Sequence, residues 1–376
     1  MTDTDTTPDS DTDTRTETEA LLISSLEAST GKTAIALALA RLAHNDSDGG
    51  EAVGYMKPKG TRLESNVGKT LDEDPFLARE LLEFEAEIHD MEPIVYSPTF
   101  VEQVIRGRED PDELRERVLE AYETLAADCD RLFVEGGGNL DIGGIIDLTD
   151  ADIAELLDAR VLLVASYESP GDVDRVITAA RTFGDRLDGV LFNNVSDAAY
   201  DELDTDVVPF LDGNGISTRG ILPREQTLAG VTVNELTEAL GATMLAEDGS
   251  ESYVERFTVG AMGAESALRH FRRTKNAAVI TGGDRSEIHT AALEAPGVRC
   301  LILTGGHRPS GAIIGQATER GIPILAVQTD TLTTVERAED IVRSGRTRSE
   351  RTVEEMESLL TEYADIEHVL ETRPEE

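Results

Sequence analysis

The chain has 376 residues and a net charge of −41, from 34 basic and 75 acidic side chains. A chain of this length is expected to form two domains rather than one, and so acidic a surface excludes binding to nucleic acid through a general positive field. No apolar run approaches the roughly 18 residues that a membrane span needs, so the sequence predicts a cytoplasmic protein that contacts neither nucleic acid nor membrane.

The acidic side chains are spread along the whole chain rather than collected in one tail. Such a surface repels itself in dilute buffer, whereas in multimolar salt the Debye length falls to about 3 Å and the repulsion is screened. The composition therefore predicts a halophilic protein.

The elements of a first domain are predicted over residues 20–245, after an acidic tail at 1–19 that has too few apolar side chains to fold. Short apolar runs alternate there with helical stretches, which is typical of a parallel sheet with helices on both faces. The predicted strands are 20–26, 52–56, 131–135, 161–166, 189–193 and 218–223. The predicted helices are 32–43, 74–83, 111–127, 172–183 and 231–240.

A second, smaller α/β domain is predicted over residues 253–345, after a polar linker at 246–252. Its predicted strands are 277–281, 299–303 and 323–327, and its predicted helices are 262–272, 285–294, 309–320 and 331–343. The remaining residues, 346–376, are predicted to hold an acidic helix at 349–371 that lies in solvent.

A phosphate site is predicted where the first strand passes into the first helix, in the segment SSLEASTGKTAIALALARLA. Backbone N–H groups and the helix dipole can hold phosphate at such a turn. Lys32 would reach the terminal phosphates, and the Thr33 hydroxyl would bind Mg²⁺. The full P-loop pattern is not met because Leu26 occupies the first glycine position. The alternative is an ordinary capped helix start.

The lysines of the chain are concentrated near this turn. Four of the five lie in one 38-residue window, namely Lys32, Lys57, Lys59 and Lys69. An ammonium group binds phosphate or carboxylate oxygens in ways that a planar guanidinium does not imitate. The clustering indicates an anion site, with chance as the alternative.

Polar residues also follow other predicted strands. Glu135 precedes three glycines in RLFVEGGGN, where it is a candidate Mg²⁺ ligand or the start of a flexible loop. Asp72 and Asp74 precede a helix, where capping is the alternative role. Asn193 ends the strand GVLFN and can bind a purine edge or cap a turn.

Two similar turns in the second domain, TGGDR (281–285) and TGGHR (304–308), each offer glycine N–H groups and an arginine. Asp284 and Arg285 in the first turn and Arg308 in the second are candidates for a further phosphate or nucleotide site. Alternatively, the glycines only form tight turns and the arginines pair with surface acids.

Several motifs together resemble a known family. The first domain is similar to dethiobiotin synthetase and cobyrinate a,c-diamide synthase, and more closely to the N-terminal domain of long phosphotransacetylases. This resemblance rests on LEASTGKT, YMKPKG, DRLFVEGGGN, GVLFNNV and ILPREQTLAGVTVNEL, in this order and spacing. The second resembles the DRTGG domain that follows it in those enzymes, through AVITGGDRSEI, LILTGGHRPSGAI and VQTDTLTTVERAEDI. Together the two resemblances cover about residues 20–345.

The resemblance implies ATP and Mg²⁺ as cofactors. It makes Lys32 and Lys57 catalytic, with Lys57 on the lysine that faces substrate and phosphate in dethiobiotin synthetase. The implied metal ligands are Thr33, Asp74 and Glu135. The implied nucleotide-binding residues are Glu27, Ser29, Thr30, Gly31, Lys32, Thr33 and Asn193. Glu27 stands where the family has an aspartate, Asn193 would contact adenine, and Ser29-Thr30 replaces the usual Gly-Val.

Three functions follow as expectations. The first is a nucleotide-sensing regulatory protein of acetyl-CoA and acetate metabolism, with slow or no turnover of ATP and an acetyl-CoA-metabolising enzyme as partner. The second is an ATP-dependent ligase of the dethiobiotin synthetase type that acts on a small carboxylate or amine. The third is a scaffold with an inactive P-loop. The resemblance further suggests a homodimer, and phosphate acetyltransferase activity by this chain alone is not expected.

Overall fold

The computed structural model describes residues 18–46, 51–60, 64–65, 68–69, 74–345 and 350–371. Nearly all of the predicted tail at 1–19 lies outside these ranges, as do Asp72 and the side chain of Lys69. Among the described residues, no helix has both the length and the apolar character needed to cross a bilayer.

Strands and helices alternate along most of the chain. In chain order the strands are β1 (Glu19–Ser25), β2 (Val53–Met56), β3 (Lys59–Gly60), β4 (Glu64–Ser65), β5 (Gly68–Lys69), β6 (Ile94–Val95), β7 (Arg131–Glu135), β8 (Arg160–Ala165), β9 (Leu187–Val195), β10 (Thr218–Pro223), β11 (Val231–Thr232), β12 (Thr243–Ala246), β13 (Tyr253–Val254), β14 (Arg256–Val259), β15 (Ala277–Gly282), β16 (Val298–Thr304) and β17 (Ile324–Ala326). The helices are α1 (Lys32–Asp46), α2 (Asp74–Leu82), α3 (Ile88–Met91), α4 (Pro98–Ile105), α5 (Pro111–Ala126), α6 (Asp150–Leu156), α7 (Val173–Phe183), α8 (Asp197–Glu202), α9 (Val208–Gly213), α10 (Gln226–Ala229), α11 (Val233–Leu240), α12 (Ala264–Phe271), α13 (Ser286–Leu293), α14 (Gly311–Arg320), α15 (Thr331–Gly345), α16 (Glu350–Tyr363) and α17 (Ile366–Leu370). Each predicted strand and helix is present with its ends within a few residues, except that the helix predicted at 349–371 is divided into α16 and α17.

The first unit is built on a parallel sheet of described strands in the order β10-β9-β8-β1-β7-β2. Strand β1 lies in the interior, where Ile23 pairs with Glu135 of β7 and Ser25 pairs with Val164 of β8. The strands are apolar along nearly their whole length because both faces of the sheet are covered. The carboxyl ends of β1, β7 and β8 therefore meet at one edge, where ligands bind in sheets of this kind. This architecture confirms the predicted fold class.

The second unit has its own sheet, in the order β12-β17-β16-β15-β14, parallel except for β12. Helix α11 packs on this sheet, with Leu236 and Leu240 in one apolar cluster with Ile280 and Ile302. Helix α11 precedes the predicted linker at 246–252, and strand β12 ends on its first residue. The change between the two units therefore lies earlier in the chain than residue 245.

After the second unit, the chain returns to the first. Helix α16 packs on α1 and β10, and it buries Val353, Met356, Leu359 and Leu360 in the core of the first unit. The prediction that this helix lies in solvent was wrong. The helix is rich in acidic residues, but its apolar residues recur at helical spacing on one face. This is the pattern of a helix with one buried face.

The last described residues are held by Arg160 at the opposite edge of the sheet. Its guanidinium donates to the carbonyls of Val369 and Glu371, both at 3.0 Å, and pairs with Glu19 and Asp188 at 2.6 and 2.8 Å. A buried arginine with several acceptors fixes the geometry of the groups around it. The C-terminal segment, residues 350–371, is thus an integral part of the first unit.

Candidate functional site

The turn between β1 and α1 contains two residues with left-handed backbone conformations. Ser29 has a φ of 61° and Gly31 a φ of 89°, both in the left-handed region. A Cβ on Gly31 would lie 2.7 Å from Asn193 Nδ2, so a side chain at this position would also meet the neighbouring strand. Ser29 adopts a conformation that glycine takes more readily. The departure Ser29-Thr30 thus leaves the turn formed, at some cost in backbone strain.

Lys32 is the first residue of α1, and its ammonium is buried beneath this turn. It donates to Ser25 Oγ at 2.6 Å and to the carbonyl of Gly138 at 3.4 Å. In the part of the chain that the structure describes, no carboxylate lies within 4 Å of Lys32 Nζ. Burial lowers the pKa of Lys32, and the more distant charges of Glu135 and Asp150 act against that. The site therefore holds a buried cation without a contacting counterion.

Four of the predicted residues meet beside Lys32. Thr33 Oγ1 donates to Glu135 Oε1 at 2.9 Å, and the Lys57 ammonium pairs with Asp74 and lies 3.4 Å from Glu135 Oε1. Strand β7 delivers Glu135, the segment after β2 delivers Lys57, and the first turn of α2 delivers Asp74. All four side chains are buried, and all except Thr33 are charged. The pairing of these charges with one another offsets the cost of removing them from water.

The donor set fits Mg²⁺ bound together with a nucleotide. Mg²⁺ in nucleotide sites is held by one or two carboxylates, a hydroxyl and phosphate oxygens rather than by an all-protein cage. The described residues contain no group of three His, Cys, Asp or Glu side chains placed to hold a metal. Thr33, Asp74 and Glu135 would supply the protein ligands. Lys57 now lies against both carboxylates, so it would have to move aside for an ion bound between them.

Tyr55, from β2, fixes the orientation of Glu135 from the other side. Its hydroxyl donates to Glu135 Oε2 at 2.6 Å, and its ring is fully buried. We expect Tyr55→Phe to lower the free energy of unfolding by about 1.5–3 kcal/mol, the usual value of a hydrogen bond to a charged group. Urea denaturation measures this. Phe192→Leu, at an equally buried ring without a polar atom, controls for general repacking, and an unchanged stability in Tyr55→Phe would contradict the expectation.

The outer part of the site contains Asn193 and Glu27. Asn193 Nδ2 donates to the Thr30 carbonyl at 2.8 Å, so it supports the turn in this structure. Glu27 accepts from the Ser166 hydroxyl and lies 3.6 Å from Arg175, with its side chain 44% exposed. Thr30 Oγ1 is buried and makes no hydrogen bond within the described residues. An orphaned hydroxyl in the turn fits a ligand with acceptor oxygens.

The two turns of the second unit lie side by side. Gly282 pairs with Thr304 across β15 and β16, and a Cβ on Gly283 would lie 2.3 Å from the carbonyl oxygen of His307. The Arg285 guanidinium donates to the carbonyls of Gly260 and Met262, the latter at 2.9 Å.

This pairing holds Arg285 against the end of β14. Asp284 and Arg308 are exposed. These contacts indicate that Arg285 has a structural role rather than the role of a phosphate ligand.

Sequence reasoning missed several polar residues of the first site. They are Ser24, Ser25, Tyr55 and Asp150, whereas Lys59 was singled out only as a member of the lysine cluster and its pairing with Asp150 was not foreseen. The two serines lie inside an apolar strand, and Asp150 opens a helix, where an acid is expected as a capping or dipole-stabilising residue. The clustering of Lys59 with Lys57 was the one signal available.

Comparison with known proteins identifies both units. A family model for an AAA domain matches residues 19–232, and a model for a DRTGG domain matches residues 235–341. The second match begins before the predicted linker, in agreement with the packing of α11. The resemblance stated from the motifs is confirmed.

Curated relatives include two kinds of enzyme. The phosphate acetyltransferase of Pseudomonas putida is 27% identical over 341 residues, which cover 85% of this chain and 47% of the relative. The ATP-dependent dethiobiotin synthetase BioD of Methanocaldococcus jannaschii is 27% identical over 184 residues, which cover 47% of this chain and 80% of the relative. The chain thus spans about half the length of the phosphate acetyltransferase that it matches.

Solved structures give weaker similarity. The MinD cell division protein of Aquifex aeolicus is 18% identical with a TM-score of 0.32, and the match covers 56% of this chain and 84% of that one. The CBS and DRTGG domains of the regulatory region of Clostridium perfringens pyrophosphatase, complexed with the activator diadenosine tetraphosphate, give 20% identity and a TM-score of 0.28. That match covers 50% of this chain and 82% of the other. Scores this low do not indicate a shared function.

Proposed function

The chain belongs to the AAA domain family through residues 19–232 and continues into a DRTGG domain, and on this basis we propose that it is an Mg-ATP-binding regulatory protein. In this proposal the first unit binds the nucleotide, turns it over slowly or not at all, and reports its presence to the second unit. Relatives that are phosphate acetyltransferases support a place in acetyl-CoA and acetate metabolism, with an enzyme of that metabolism as partner.

The observation that carries the proposal is the buried ammonium of Lys32. Its hydrogen bonds go to neutral oxygens, those of Ser25 and Gly138. A buried cation is normally paired because desolvation is costly. A terminal phosphate of a bound nucleotide would supply the missing negative charge, at a strand-to-helix turn whose N–H groups also attract anions.

The other residues would divide the work of binding. Thr33, Asp74 and Glu135 would hold Mg²⁺, which neutralises phosphate charge when it is bound. Lys57 would move aside from the two carboxylates when the ion binds, and it would then face the terminal phosphate or a second substrate. Gly31, Ser29 and Thr30 would contribute the turn, with Asn193 and Glu27 at its rim.

The C-terminal segment supports a sensing role. Met356 Cε lies 4.0 Å from the position that a Cβ on Gly31 would take, so helix α16 lies next to the turn between β1 and α1. The same helix contacts the second unit, where Arg351 donates to the Tyr253 hydroxyl at 3.2 Å. If nucleotide binding shifts the turn, helix α16 would therefore transmit the shift to the second unit.

A ligase of the dethiobiotin synthetase type is the second candidate. Its support is the placement of Lys57 against two carboxylates and close enough to Lys32 to affect its pKa, together with a relative of which this chain covers 80%. Two lysines near a transferring phosphoryl group would stabilise the charge that develops on it. Acetyl transfer is not part of the proposal, since the chain spans 47% of the phosphate acetyltransferase compared above.

The test is binding and turnover of Mg-ATP in multimolar KCl, chosen because of the net charge of −41. Calorimetric titration with Mg-ATP, Mg-ADP and AMP gives affinities, and ADP release is followed with and without a pool of cellular carboxylates, amines and acetyl-CoA. The proposal expects tighter binding of Mg-ATP than of AMP, with turnover unaffected by the pool. If turnover rises with the pool, the protein is a ligase rather than a regulator. If no nucleotide binds, the protein is a scaffold with an inactive P-loop.

A further inference from the structure

Asp150 lies at the centre of a buried network behind the phosphate site. It is the first residue of α6 and fully buried, and none of the predicted roles includes it. Asp150 Oδ2 accepts from Ser24 Oγ at 2.6 Å. Asp150 Oδ1 accepts from the Gly137 N–H at 2.9 Å and from Lys59 Nζ at 3.1 Å. One carboxylate thus joins β1, the glycine turn after β7 and strand β3.

Lys59 neutralises this carboxylate and is itself fully satisfied. Besides Asp150, its ammonium donates to the carbonyls of Ile142 at 2.7 Å and Leu148 at 2.5 Å, so its three protons have three acceptors. A buried ion pair is tolerated when hydrogen bonds of this kind satisfy the remaining donors. Unlike Lys32, Lys59 therefore has no capacity left for an anionic ligand.

The partners of Asp150 are sequence neighbours of the partners of Lys32. Ser24 precedes Ser25, which accepts from Lys32 Nζ, and Gly137 precedes Gly138, whose carbonyl accepts from the same ammonium. The carboxylate also packs directly on the turn, because a Cβ on Gly136 would lie 2.1 Å from Asp150 Oδ2. A side chain at residue 136 is excluded by this contact.

We propose that Asp150 is a positioning residue, which holds Ser24 and Gly137 and thereby fixes the Lys32 ammonium at the place where terminal phosphates bind. This inference rests on the proposed nucleotide binding. Because Asp150 acts only through Lys32, its effect should be confined to the phosphates that Lys32 reaches. The affinity for the part of the nucleotide shared with AMP should not depend on it.

The test is a comparison of nucleotide affinities in wild type, Asp150→Asn and Asp152→Asn. Asp152 provides the matched control, since its carboxylate caps α6 by accepting from the Thr149 N–H at 2.7 Å and the same substitution there leaves the network intact. We expect Asp150→Asn to bind Mg-ATP about tenfold more weakly, in the range of a lost hydrogen bond to a charged group. AMP affinity should stay within about twofold of wild type, and Asp152→Asn should bind both nucleotides like wild type.

Equal losses for Mg-ATP and AMP, or no loss for either, would overturn the positioning role. If Asp150→Asn does not fold, Ser24→Ala takes its place, with an expected loss of about threefold for Mg-ATP and none for AMP, because it removes one neutral donor. Equal losses in that variant would overturn the role as well.

Hydrogen exchange separates this inference from the proposed function. In the absence of nucleotide, the Gly137 amide should exchange slowly in wild type and faster in Asp150→Asn, because its acceptor is weakened. Wild-type protein that binds no nucleotide would refute the proposed function and the phosphate role of Asp150 with it. If the Gly137 amide exchanges slowly in both proteins, Asp150 does not fix the glycine turn, even if nucleotide binds.

Discussion

Replacing Lys32 with methionine should weaken binding of Mg-ATP about a hundredfold while leaving the free protein at least as stable as wild type. The loss follows because removing one partner of a buried charge contact costs about 2–5 kcal/mol, and each 1.4 kcal/mol is a factor of ten. Methionine keeps the unbranched stem that packs under the turn. Calorimetric titration with Mg-ATP in multimolar KCl measures the change in affinity.

The stability half of this prediction comes from the lowered pKa of Lys32. Because the folded state disfavours the charged form, the unfolded chain binds its proton more tightly, and the charge destabilises the fold below the folded-state pKa. Lys32→Met should therefore gain stability at neutral pH. The gain should vanish as the pH rises through the ordinary lysine pKa, where the unfolded chain is neutral as well. Chemical denaturation at several pH values follows it.

Lys275 provides the control for both measurements. It is an exposed lysine of the second unit, so Lys275→Met makes the same chemical change away from the turn. It should leave the affinity and the stability unchanged. Near wild-type affinity in Lys32→Met would contradict the assignment of its ammonium to the terminal phosphate.

Replacing Leu360 with aspartate should destabilise the first unit by about 4 kcal/mol or more. Leu360 is fully buried in α16 against the core of the first unit, and a carboxylate there would be a buried charge without a partner. The second unit has separate apolar clusters and should unfold independently. Denaturation followed by circular dichroism should then show two transitions, with the earlier one assigned to the first unit.

Leu332→Asp provides the comparison, since Leu332 is a helical leucine that is 69% exposed. An aspartate there meets water and should change the stability by less than about 0.5 kcal/mol. If α16 lay in solvent, as its composition suggested, the two variants would behave alike. Equal unfolding curves would therefore remove the C-terminal segment from the core.

The elements predicted from the sequence were those with a local signal. Strands β1, β7 and β8 are apolar runs bounded by turn residues, and their period and length suffice to identify them. The grouping of Lys32 with Glu135 was also predictable, because the ends of neighbouring parallel strands share one edge. Lys57 was found through its clustering with other lysines in an arginine-rich chain.

The elements that were missed depend on distant parts of the chain. Asp150 is 126 residues from Ser24, and its neighbourhood resembles an ordinary helix start because Thr149 and Asp152 form a capping box there. In α16, acidic side chains dominate the composition and conceal the four apolar residues that pack on α1 and β10. Tyr55 is indistinguishable in sequence from any aromatic residue of a buried strand. Tertiary packing, rather than local propensity, decides all three.

The return of the chain to its first unit has a consequence for the order of synthesis. Residues 350–371 leave the ribosome after the whole second unit, yet they complete a core that begins with β1. The second unit, whose sheet ends at Ala326, can fold while the first is still unfinished. Until residues 350–371 emerge, the nascent first unit would expose the apolar groove between α1 and β10 that α16 later fills. This surface would need shielding from aggregation during translation.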